Sequence, residues 1–151
     1  MTTRTPEELE EKLHYHFKNK ELLITALTHS SYANESKTPT LYNERLEFLG
    51  DAILDAIVGD IVYKHFEGRR EGFLTNTRSK IVQRETLNKL AVEIGLDKLV
   101  KYSTRSSSHN SYMYGNAFEA FIGAIYLDQG YERCKQFMEK KILKNYIDLD
   151  K

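Results

Sequence analysis

The chain has 151 residues, 40% of them hydrophobic and 29% charged, and its 22 basic and 22 acidic side chains cancel. This fits one folded domain with a real core and excludes a disordered basic arm, although a locally basic face remains possible. Cys134 is the only cysteine, so no disulfide can form within the chain, and no segment approaches the roughly 18 consecutive apolar residues of a membrane span. The polar, acidic stretch Met1 to Glu11 lacks the apolar centre of a signal peptide, so the expected location is the cytoplasm.

Helical patterns dominate in chain order. Thr5 can cap a first helix, with Pro6 at its first position, Glu8 three residues after the cap, and Leu9 and Leu13 facing inward. Asn19 can cap a second, with Leu22, Leu23, Ala26 and Leu27 as its buried stripe. Ser30 to Leu41, with Asn34, Ser36 and Pro39, has the composition of a loop. A long helix follows from about Asn43 to about Phe66, with Leu46, Leu49, Ile53, Ala56, Ile57 and Val62 at helical spacing.

Gly68 to Gly72 makes a charged turn. The next helix runs from about Thr75 to about Glu93, carries Ile81, Val82, Leu87, Leu90 and Val92, and stops at Gly95. A short helix is expected over Asp97 to Tyr102 and a surface loop over Ser103 to Tyr114, which is rich in Ser, Asn and Tyr. Two more helices, about Asn116 to Leu127 and about Tyr131 to Ile147, are split by Asp128-Gln129-Gly130. No strand alternation stands out, so the class is all-α, with about seven helices.

The long helix carries an acidic stripe. With Glu44 at zero and about 100° per residue, Glu47 falls at about 300°, Asp51 at about 340° and Asp55 at about 20°, an arc of about 80°. Like charges one turn apart oppose a helix, so the stripe has either a solvated, dipole-favoured origin or a cation to bind. Mg²⁺ takes oxygen donors and is usually held by a few carboxylates with water and substrate phosphate. Asp55, a full turn beyond the others, reads as solvated. Asn116 and Glu119, three residues apart, project from one face of a later helix. Glu119 lies in the apolar run Ala117-Phe118-Glu119-Ala120-Phe121-Ile122, where a carboxylate is costly unless paired, protonated or bound to metal.

The run Asn43-Glu44-Arg45-Leu46-Glu47-Phe48-Leu49-Gly50-Asp51-Ala52 resembles the signature of the ribonuclease III endonuclease domain, bacterial type. Leu27-Thr28-His29-Ser30-Ser31-Tyr32, Glu71-Gly72-Phe73-Leu74-Thr75-Asn76-Thr77-Arg78 and Phe118-Glu119-Ala120-Phe121-Ile122-Gly123-Ala124-Ile125-Tyr126-Leu127-Asp128 resemble further pieces of the same domain in the same order. The resemblance covers nearly the whole chain and implies a catalytic domain over residues 1–147, with 148–151 starting a linker and the family's usual double-stranded-RNA-binding domain absent.

The resemblance also implies Mg²⁺-dependent hydrolysis of double-stranded RNA to 5′-phosphate and 3′-hydroxyl ends, with Mn²⁺ able to substitute, as in rRNA and mRNA precursor processing. Glu47, Asp51, Asn116 and Glu119 would be the metal ligands. Asp51 and Glu119 would be the groups most needed for chemistry, and Glu44 and Glu71 accessory acids near the same cleft. Two copies would pair, with Phe48 in a socket of the partner. Lys80, Arg84, Lys101 and Arg105, with Ser106, Ser107 and Asn110, are candidate RNA contacts across an A-form groove.

One position departs from the family pattern. Asn116 stands where Asp is usual; its carbonyl can ligate Mg²⁺ but brings no charge. The alternative reading is therefore a catalytically weak or inactive RNA-binding dimer of the same fold. A helical pyrophosphatase with Glu44-x-x-Glu47 as its metal pair leaves the rest of the signature unexplained, and a purely structural dimerisation module leaves Glu119 unexplained.

Overall fold

The computed structural model describes residues 5–103, 112–146 and 149. Helix α1 (Pro6–Leu13) starts on Thr5, whose Oγ1 accepts from the Glu8 N–H at 3.1 Å. Helix α2 (Lys20–Ala26) starts on Asn19, whose Oδ1 accepts from the Glu21 N–H at 3.1 Å. Leu9, Leu13, Leu23, Ala26 and Leu27 are buried, as their spacing requires.

The segment expected as a loop begins with a short helix, α3 (Ser30–Glu35). Its cap is a histidine: His29 Nδ1 accepts from the Ser31 N–H at 3.1 Å and lies 2.7 Å from Ser31 Oγ. Histidine is not among the usual capping residues, so the sequence carries no clear start signal there. Helix α3 is tied to distant chain, because the Ser103 N–H donates to Ser31 Oγ at 2.9 Å and Ser103 Oγ bonds the Glu35 carboxylate.

Helix α4 (Glu44–His65) matches the expected long helix. Leu46, Leu54, Ile57, Val58, Ile61 and Val62 are buried, whereas Ala56 faces out. The single helix expected over residues 75–93 is two, α5 (Glu71–Val82) and α6 (Arg84–Ile94). The break is at Gln83, which is extended (φ −66°, ψ 155°). No Gly or Pro marks it. Side chains span it instead: Thr86 Oγ1 donates to the Lys80 carbonyl at 2.7 Å and accepts from Gln83 Nε2 at 3.3 Å. The two helices have independent phases, and Val92, expected inside, is 46% exposed.

Helix α6 ends at Gly95, whose φ of 94° closes it. The helix expected over 97–102 is only a 3₁₀ turn, Leu96–Lys98. The chain then bonds beside α2: the Lys101 N–H donates to the Leu27 carbonyl at 2.8 Å and the His29 N–H to the Lys101 carbonyl at 2.9 Å.

Helix α7 (Met113–Phe137) begins three residues earlier than expected and carries the anticipated interruption at Gly130, where φ is 88° and ψ 174°. It continues as a π-helical turn, Met138–Leu143, and a last α turn, Lys144–Tyr146. The run Ala120 to Ile125 is buried all round, as a central helix requires. Helix α4 packs most extensively on α7, with α6 and α2 beside it.

Tyr15, Phe17, Phe121 and Phe137 meet edge-on or tilted with ring centroids 4.9 to 6.0 Å apart. Asp128, at the end of the first stretch of α7, pins the N-terminal connection by accepting from the Asn19 N–H (2.9 Å), the Lys18 N–H (3.0 Å) and the Tyr15 hydroxyl (3.1 Å). Among the described residues there is no strand, and the all-α expectation with about seven helices holds. No described helix is long and apolar enough to cross a membrane.

Candidate active site

The site begins with two glycines. A Cβ on Gly50 would stand 1.7 Å from the Glu119 carbonyl oxygen, and one on Gly123 would stand 2.5 Å from the Leu46 carbonyl oxygen. Helices α4 and α7 therefore cross main chain against main chain. Glu47 and Asp51 flank Gly50 on α4, and Glu119 lies one turn before Gly123 on α7, so the crossing draws acids from distant sequence into one cluster.

The electrostatics reflect that crowding. Burial pushes the Glu119 carboxyl up to about 8, helped by a hydrogen bond with Asp51 and by the charges of Asp51 and Glu47, while Arg84 opposes the rise. Burial, then Glu44 and Asp51, raise Glu47, again against Arg84. With its carboxyl pushed up to about 8, Glu119 is the partner able to donate the hydrogen bond to Asp51. Glu47 and Glu119 are partly buried, and Asp51 and Glu44 are at the exposed lip.

Asn116 is partly buried one turn before Glu119, with its N–H donating to the Tyr112 carbonyl at 2.9 Å. Glu71 is exposed at the first position of α5 and makes no hydrogen bond or ion pair among the described residues. Asp55 pairs with Arg78 of α5 at 3.5 Å, apart from the cluster. Among the described residues, no three His, Cys, Asp or Glu side chains are arranged so as to hold a metal ion by themselves. The donor set still suits Mg²⁺, which needs only one or two carboxylates when water and phosphate complete its shell, and a cation would offset the burial and the neighbouring charges that raise Glu47 and Glu119.

Phe48, on the outer side of α4, is 82% exposed. It borders a groove of about 820 Å³ whose other apolar lining includes Leu22, Leu41, Tyr42, Leu49 and Leu127. Of the candidate RNA contacts, Lys80 and Lys101 are exposed and Lys101 Nζ lies 5.8 Å from the Tyr32 ring centre, with no described contact to the carboxylates. Arg84 does act on the cluster, and its guanidinium carbon lies 5.0 Å from the Tyr112 ring centre. Arg105, Ser106, Ser107 and Asn110 lie outside the described residues. The sequence reading missed Tyr112 and the groove beside Phe48. Neither has a fixed spacing from the acidic run, and the two glycines inside apolar helices were the legible hint of a close crossing.

The fold is that of known nuclease domains. A structure of the nuclease domain of ribonuclease III from Campylobacter jejuni, described for structural flexibility in a region involved in dimer formation, is 37% identical. It aligns with a TM-score of 0.83 over 94% of this chain and 99% of that one. Dicer from Pichia stipitis aligns at 30% identity with a TM-score of 0.64, over 88% of this chain and 62% of that one. These likenesses define the class, an all-helical nuclease-domain fold with acids at a helix crossing.

Residues 19–146 match the ribonuclease-III-like family, and the chain belongs to it. Ribonuclease 3 of Bacteroides thetaiotaomicron is 82% identical over 134 residues, covering 88% of this chain and 43% of the relative. That of Bacteroides fragilis is 79% identical over 140 residues, covering 92% and 48%. The chain thus spans about half the length of the curated relatives it matches.

Proposed function

We propose that residues 1–147 form the catalytic domain of a cytoplasmic, homodimeric endoribonuclease. It hydrolyses double-stranded RNA with Mg²⁺, or Mn²⁺ in its place, to 5′-phosphate and 3′-hydroxyl ends in rRNA and mRNA precursor processing. The observation that carries this reading is the meeting of Glu47, Asp51 and Glu119 across the α4–α7 crossing. When bound, the metal supplies positive charge for the scissile phosphate and lowers the pKa of water.

Asp51 and Glu119 give one oxygen donor from each helix. Glu47 adds a second from α4, and Asn116 a neutral carbonyl from the turn before Glu119. Because main-chain contact fixes the helices, the donors need little reorganisation as charge develops on the phosphate. Glu44 and Glu71 serve as accessory acids at the rim.

Phe48 and the adjoining groove support the dimer. A two-fold interface sets the same patch against itself, so a protruding ring beside an apolar groove is self-complementary. Lys80, Arg84, Lys101 and Arg105 are the proposed phosphate contacts, suited to a duplex read by shape and backbone.

The test is cleavage of a long duplex RNA with Mg²⁺ and with EDTA, run beside Asp51→Ala and Glu119→Ala. Only the unaltered chain with Mg²⁺ should cut; equal cutting by either variant refutes the site assignment. Asn116 favours a second reading, a weak or inactive RNA-binding dimer. Duplex binding without cleavage at any Mg²⁺ concentration would establish it.

A further inference from the structure

We propose that Arg78 is a further binding residue for the phosphate backbone of duplex RNA, released from Asp55 as the substrate arrives at the acidic crossing. This rests on the reading of the chain as a nuclease of double-stranded RNA. A polyanion approaching Glu44, Glu47 and Asp51 on α4 meets like charge, so binding there needs a cation beside the stripe.

The packing of α5 on α4 supplies it. Asp55 continues the stripe one turn beyond Asp51, about 6 Å further along α4. Arg78 of α5 reaches it from the neighbouring helix, with Nε 3.5 Å from Asp55 Oδ1. Its stem lies across α4 at Gly59, where a Cβ would touch the Arg78 Cδ at 3.7 Å and Nη1 at 3.6 Å. A strand that offers one phosphate to Asp51 and Glu119 therefore passes the guanidinium with a neighbouring one. The pair is also able to open. Its side chains are 40% and 51% exposed, and among the described residues the guanidinium makes no hydrogen bond. Exposed, screened pairs of this kind hold weakly, whereas a phosphate gives a guanidinium a bidentate acceptor. Lys135 on the same helix α4 face shows the contrast: it meets Asp60 at 2.9 Å with its side chain only 14% exposed, the geometry of a fixed brace.

Anisotropy of a labelled duplex RNA, titrated with the whole chain in EDTA at several salt concentrations, tests this. Arg78→Gln should bind about tenfold more weakly and lower the slope of log affinity against log salt by about one. Arg78→Lys should keep that slope. Asp55→Asn should tighten binding about two- to fivefold, and only while Arg78 is present. Arg78→Met, which keeps an apolar stem over Gly59, repeats the comparison if glutamine disturbs the helical circular dichroism. Arg78→Gln that binds like the unaltered chain overturns the proposal. So does Asp55→Asn that tightens equally in both backgrounds, which is bulk repulsion, or that binds no tighter, which makes the pair a brace for α5. Failure of the unaltered chain to bind duplex RNA removes the RNA reading and this proposal with it; binding that ignores Arg78 removes this proposal alone.

Discussion

Replacing Glu119 with glutamine keeps the side chain's size and removes its charge, and the effect on stability should depend on pH in one direction. In the unfolded chain this carboxyl ionises near 4.5; in the fold it keeps its proton up to about 8. Between those values the native state binds more protons than the unfolded state, so stability falls as pH rises and the loss is complete once pH passes the folded value. At about 1.4 kcal/mol per pH unit the full interval amounts to roughly 5 kcal/mol. Partial hydration and side-chain relaxation bring the expected loss to about 1–3 kcal/mol.

Urea unfolding in EDTA at pH about 5 and about 8.5 should show it. The unaltered chain should lose midpoint stability over that range, Glu119→Gln should not, and the two should converge at the acidic end. Added Mg²⁺ should recover stability at the alkaline end for the unaltered chain far more than for the variant. Parallel pH dependence of the two chains would refute the raised Glu119 carboxyl.

Gly50→Ala puts a methyl group 1.7 Å from the Glu119 carbonyl oxygen, so the helices must part; a loss of about 3 kcal/mol or more is expected, and an unchanged thermal midpoint would contradict the crossing. Asn116→Asp adds a donor charge and should lower, several-fold, the Mg²⁺ needed for half-maximal cleavage; an unmoved midpoint sinks the idea of a charge-poor site. Phe48→Ala should weaken self-association by about 2–4 kcal/mol while leaving the helical circular dichroism intact. Sedimentation that shows the same oligomer at every concentration would disprove its place in the interface.

Much of this was legible from local chemistry. Thr5 and Asn19 announce their helices because caps act within three residues, and the Glu44-Glu47-Asp51 stripe follows from helical period alone. Helix α3 and the break at Gln83 were not legible. The first depends on a histidine ring acting as a cap, the second on Thr86 reaching back to Lys80, and neither leaves a Gly or Pro mark. Glu119 stood out as an acid in an apolar run, but its partnership with Asp51 depends on where α7 crosses α4. Arg84 could be named only as a basic residue on a helix face, because its relation to Glu47 and Glu119 exists only after three helices have packed.

Since Gly50 and Gly123 let the peptide groups of two helices touch, the gap between Asp51 and Glu119 belongs to the main chain, like the opening of a locked calliper. Trimming or neutralising a proposed donor, such as position 116, would change what the jaws carry without changing how far apart they stand. On the proposed reading of the site, variation in ion preference within this frame would come from the chemical identity of the donors, and a sequence that replaced either glycine would have to rebuild the frame first.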